Sequence, residues 1–126
     1  MSNAMQMRSL IAVENRKAAD VFPFLEIYIT KRERIMNEIM QVVERYEKKR
    51  MMEESAYQTL SPIRRMFSGK KPDHHIAVEY IHYVKKPMEQ VRQLRREIEN
   101  ARAILDESQP QDLIMLSDEM EREWTL

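Results

Sequence analysis

Between residues 77 and 105 the apolar side chains Ala77, Tyr80, Val84, Val91, Leu94, Ile98, Ala101 and Leu105 recur every three, four or seven positions. At 3.6 residues per turn that spacing gathers them on one stripe, so the segment reads as an amphipathic helix that must bury the stripe against another element. A second stripe precedes it. Phe22, Leu25, Ile29, Met36, Ile39, Val43 and Tyr46 follow a seven-residue repeat, and Tyr28, Ile35 and Val42 widen it along one side. Glycine occurs once in 126 residues and charged residues make up 33%, a composition suited to long helices and poor in the turn residues that sheets require. The expected class is therefore all-α: a long antiparallel helical hairpin or small helical bundle, with a short connector helix and a short C-terminal helix.

Punctuation sets the boundaries. Asp20 can accept hydrogen bonds from free backbone N–H groups as an N-cap, with Pro23 tolerated in the first turn, which predicts a helix over about 20–54. About 33 residues at 1.5 Å each would span roughly 50 Å. Ser61-Pro62 and Gly69 bracket a short helix at 62–67, and Asp73 caps a second long helix at 74–106. Pro87 lies inside that helix and predicts a kink near residues 83–86, with the apolar repeat in phase across it. Ser108 and Gln111 form a candidate capping box for a helix over 109–124, with Leu113, Leu116, Met120 and Trp124 on one face. Antiparallel pairing would bring Tyr46 near Tyr80. Arg32 falls at a core position and calls for a carboxylate from Glu97 or Glu99. Residues 5–19 fit either a short helix or an extended arm. Met1-Ser2-Asn3-Ala4 reads as a remnant of an expression tag ahead of Met5, leaving 5–126 as one helical domain.

Several chemistries lack their materials. Without cysteine there is no disulfide framework and no thiolate ligand or nucleophile, and one glycine cannot build a phosphate-cradling loop or a dinucleotide fingerprint. The longest apolar run, residues 21–29, contains Pro23 and Glu26 and is too short for a bilayer, and the opening residues do not have the form of a secretion signal. A cytoplasmic chain with no membrane contact is expected. His75, Glu79 and His82, spaced by four and three, share a helix face and make the one metal-like cluster. A di-iron bundle would need a second Glu-x-x-His motif, and the chain has only three histidines, so a solvated helix face is the better account and no metal or cofactor is expected. The alternative is a metal-binding helical-bundle enzyme whose zinc or nickel site on these residues is completed across a dimer.

Two features remain. The 21 basic and 21 acidic residues balance overall, yet residues 61–102 hold ten basic against five acidic side chains, and residues 105–126 hold seven acidic against one basic. A nucleic-acid-associated regulator would use the basic part, with Arg64, Arg65, Lys70, Lys71, Lys85, Lys86, Arg92, Arg95 and Arg96 on phosphate and the acidic tail in competition. No recognition motif accompanies it, and solvated helix faces explain the same pattern. The second feature is the connector, where Met66 and Phe67 sit among Arg64, Arg65, Lys70 and Lys71, an apolar anchor ringed by cations as partner-contact surfaces tend to be. A plain alternative has Ile63 and Phe67 plugging the end of the bundle. The function expected is a non-enzymatic protein–protein interaction module. It should self-associate as a homodimer, because two long helices and two short ones cannot cover stripes this wide.

Overall fold

The structure is a computed structural model that describes residues 15–67, 69 and 73–126. It is mostly helical, with one two-stranded ladder. In chain order it comprises strand β1 (Arg16–Lys17), helix α1 (Ala18–Gln58), helix α2 (Pro62–Phe67), helix α3 (Asp73–Tyr80), a π-helical turn (Ile81–Lys85), helix α4 (Lys86–Glu107), strand β2 (Leu113–Ile114) and helix α5 (Asp118–Trp124). None of the described helices is long and apolar enough to cross a membrane. The expectations for residues 1–4 and for most of the 5–19 arm lie outside the described residues. The chain divides into two compact units, one holding residues 15–31 with Ile98–Leu126 and the other Arg32–Glu97.

The first unit is closed by its C-terminal segment. Arg16 pairs with Ile114 and Lys17 with Leu113, antiparallel, and the chain turns directly from that ladder into α1. The first N–H groups of α1 find backbone acceptors: Ala18 donates to the Asp112 carbonyl at 2.8 Å and Ala19 to that of Pro110 at 3.0 Å. These carbonyls do the work expected of Asp20, which instead lies inside the first helical turn, where its negative charge suits the helix dipole. Pro23 is thereby displaced to the second turn, leaving the Ala19 carbonyl without its helical donor. The interior consists of Ala18, Val21, Leu25, Tyr28 and Ile29 from α1, Ile98 and Ala101 from α4, and Leu116 and Met120 beyond it. Burying a side chain such as Leu25 contributes about 1.5–3 kcal/mol.

The C-terminal helix is shorter than the 109–124 expected, because Leu113 and Ile114 are spent on the ladder with β1. Its N-cap is Ser117, whose hydroxyl accepts from the Met120 N–H at 3.3 Å, and Ser108 does not form the predicted capping box. A tight turn takes that place, with the Gln109 N–H donating to the Asp112 carboxylate and the Asp112 N–H returning to the Gln109 carbonyl.

In the second unit the segments 32–58 and 73–97 meet in opposite order along the chain. Arg32 donates to Glu97 at 2.8 Å, and further on the Tyr46 hydroxyl donates to Glu79 at 3.2 Å while its ring stacks on Tyr83 with centroids 4.9 Å apart. Glu97, of the two carboxylates available, is the one that neutralises Arg32. Val43, Val84, Val91 and Leu94 are the buried hydrophobic residues among those described here.

Pro87 acts through the turn before it. A proline offers no N–H and crowds the carbonyl four residues back, and ahead of it the Lys86 N–H reaches five residues back, to Ile81. The widened turn moves the stripe by one residue. From Val84 onward Val91, Leu94, Ile98 and Ala101 are buried as the repeat requires, but before the turn Ala77 and Tyr80 face solvent, and Ile76 and Glu79 take the inner side. The repeat does not keep phase, which is why Tyr46 meets Tyr83 and Glu79 in place of Tyr80.

Candidate interaction surface

Connector helix α2 starts as the Ser-Pro signal predicts, with the Ser61 carbonyl accepting from the Arg65 N–H at 2.9 Å and its hydroxyl from the Arg64 N–H at 3.4 Å. No residue of α2 is buried. Met66 and Phe67 are 81% and 83% exposed and Ile63 is exposed as well, so within one chain neither Ile63 nor Phe67 plugs an interior. The two arginines separate. Arg64 faces solvent, whereas the half-buried Arg65 donates to the carbonyl of Gln58, the last residue of α1, and sets its guanidinium 5.7 Å from the Tyr57 ring centroid. Arg65 thus ties the connector to the C-terminal end of α1, where a cation also suits the helix dipole. Lys70 and Lys71 lie outside the described residues. Gly69 adopts φ +65°, a left-handed conformation that glycine takes without steric cost.

The histidine cluster does not converge. The Glu79 carboxylate turns inward to the Tyr46 hydroxyl, His82 packs edge-on against Tyr83 with centroids 4.8 Å apart, and His75 is exposed. Among the described residues no group of three or more histidine, aspartate or glutamate side chains is placed to hold a metal ion. In the basic stretch Lys85, Lys86, Arg92 and Arg95 are exposed, and Arg96 donates to Gln93 at 2.7 Å. The acidic tail commits Glu121 elsewhere, since Arg16 grips its carboxylate with two hydrogen bonds of 3.1 and 3.0 Å.

One feature of the second unit was not anticipated from the sequence. An open groove of about 390 Å³ runs between residues 40–47 of α1 and residues 80–92. Met40, Val43, Val84 and Met88 give it an apolar floor, and Tyr80, 53% exposed, stands at its rim. Glu44 and Glu47 line it from α1, and Lys85 and Arg92 line it from the opposite side. The sequence signal was present, as carboxylates three apart on one helix and Lys85 at the height of Glu44 on the other, but it was legible only once Arg32 and Glu97 had fixed the register. On the other flank of α1, Ile35 and Val42 are exposed although they continue the spacing of the buried Tyr28. No family model, curated protein or solved structure matches this chain.

Proposed function

We propose that the protein is a non-enzymatic protein–protein interaction module, an antiparallel helical hairpin that self-associates as a homodimer in the cytoplasm. The observation that carries this reading is the imbalance of the 32–97 unit: it buries few hydrophobic side chains while Met51, Met52, Ile63, Met66, Phe67, Tyr80 and Ile81 stay exposed. Exposed apolar side chains in such number are a cost to an isolated chain and an asset to one that meets a partner. Within this reading α2 is the contact segment for a further protein, with Met66 and Phe67 as anchors and Arg64 as the flanking cation. The basic stretch carries less weight as a phosphate surface, because Glu44 and Glu47 share the groove with Lys85 and Arg92 and would repel a polyanion there.

Light scattering on the purified full chain tests the proposal. Twice the chain mass at micromolar concentration is expected. A single-chain mass that persists at high micromolar concentration would remove self-association from the reading.

A further inference from the structure

The groove of the 32–97 unit carries a charge pattern that selects both an occupant and an orientation. Its two walls have opposite sign, Glu44 and Glu47 against Lys85 and Arg92. No ion pair within 4.0 Å joins any of these four to another described residue, so among the described residues their charges are unspent. The walls are also in register. Glu44 stands twelve residues beyond Arg32 and Lys85 twelve residues before Glu97, and Arg32 and Glu97 are themselves paired, so Glu44 and Lys85 lie at nearly the same height.

A ligand of uniform charge would satisfy one wall and be repelled by the other. A second copy of the same surface has both signs, but only one way of presenting them. When two such faces meet about a two-fold axis running across the helices, α1 lies on α1 and carboxylates face carboxylates. About a two-fold axis parallel to the helices, α1 of each copy lies on the opposite wall of the other, and heights along the axis are preserved. Glu44 then faces Lys85 in both halves of the interface, with Glu47 about one turn beyond that pair and Arg92 about two turns away on its other side. Like-charge juxtaposition is the strongest brake on a wrong partner or orientation, and opposite charge sets register more than raw affinity. Affinity would come from the floor, where Met40, Met88 and the rim residue Tyr80 lose their remaining contact with water. We infer that the groove is the self-association face of this protein, occupied by a second copy related by a two-fold axis parallel to the helices, with the acidic wall of each copy on the basic wall of the other and Glu44 facing Lys85. The inference rests on the self-association proposed above and specifies its surface.

Reciprocal charge reversal on the full chain tests it. One variant carries Glu44→Lys with Glu47→Lys, the other Lys85→Glu with Arg92→Glu. Each alone should weaken self-association by on the order of tenfold or more with the helical circular dichroism unchanged, and mixing the two should restore a dimer containing one of each. Retention of wild-type affinity by both variants, or failure of the mixture to pair, would overturn the groove assignment while leaving self-association itself intact. A wild-type chain that is a monomer by light scattering would sink both. Because the chain has no cysteine of its own, single substitutions report the axis without reversing any charge. A Glu44→Cys chain mixed with a Lys85→Cys chain should form a mixed disulfide, and Glu44→Cys alone should not. A disulfide between two Glu44→Cys chains would instead put the axis across the helices and overturn the orientation.

Discussion

The two units of this protein use the same helix-forming grammar to opposite ends. In the unit of 15–31 and Ile98–Leu126, Tyr28 is 1% exposed and the ring of Phe24 is capped edge-on by Trp124 at 5.1 Å. In the unit of Arg32–Glu97, Val42 continues the spacing of Tyr28 by two heptads and is 51% exposed. The helix is the same and the repeat is the same. What differs is a third element: residues 108–126 return to close the first unit, and nothing among the described residues does so for Val42. A seven-residue repeat states which side chains want a neighbour, and it is silent on whether that neighbour belongs to the same chain.

Substituting the same residue type in each unit is the sharpest way to break this contrast. Leu25→Ala should cost in the upper part of the roughly 2–5 kcal/mol span for buried leucine, because Leu25 is fully enclosed and its surroundings cannot collapse into the gap. Leu94→Ala should fall near about 2 kcal/mol, since the thin interior of Val43, Val84 and Val91 is free to relax towards solvent. Urea unfolding of both variants decides the matter, and equal costs would mean that the two interiors are alike after all.

The clamp between Arg16 and Glu121 comes next. Glu121 is nearly buried, accepts both hydrogen bonds from Arg16, and that guanidinium also lies 4.6 Å from the Trp124 ring centroid. Glu121→Ala should cost about 1–3 kcal/mol by removing the two charge-assisted hydrogen bonds that the carboxylate accepts from Arg16. Increased proteolysis within residues 108–126 should accompany the loss, and an unchanged digestion pattern would show that the β1–β2 ladder alone holds the segment.

Two smaller effects compare how the short helices are anchored. Ser117→Ala removes the hydroxyl that caps α5 and should cost about 1 kcal/mol. In α2, Arg65→Glu should cost a similar amount, roughly 1 kcal/mol, by losing the bond to the Gln58 carbonyl. Arg64→Glu, one residue earlier and exposed, should leave the melting temperature unchanged. If the two arginine variants melt alike, α2 is not tied to α1 as described.

The sequence made the all-α class legible because periodicity, caps and the single glycine agree, and it made the electrostatic demand of Arg32 legible because a charge at a core position needs a counter-charge. It hid what depends on distant backbone. Helix α1 starts at Ala18, and not at Asp20, only because carbonyls of Pro110 and Asp112, some ninety residues away, accept from its first N–H groups. The C-terminal helix is cut to Asp118–Trp124 by pairing with Arg16–Lys17. Proline signalled a disturbance near residue 87, but a kink that preserves phase and a π turn that shifts it leave the same mark in the sequence. The groove was hidden for the same reason, since its walls belong together only in a register that Arg32 and Glu97 fix.

The smallest expected effect bears most directly on the contrast between the units. Ile35 and Val42 lie on one flank of α1, and Met40, Glu44 and Glu47, the groove residues of that helix, lie on the other when positions are counted at 100° per residue. Serine at either Ile35 or Val42 removes apolar surface that is already in water, so the change in stability should stay within about 0.5 kcal/mol. Were the flank covered by a second copy, the same substitution would weaken the dimer and lower its melting temperature in a concentration-dependent way. With the groove as the dimer face, Ile35→Ser and Val42→Ser should leave both the mass by light scattering and its concentration dependence unchanged. A loss of dimer on Val42→Ser, with Glu44→Lys and Glu47→Lys without effect, would move the partner to the opposite flank, where it would cover Val42 as the C-terminal segment covers Phe24.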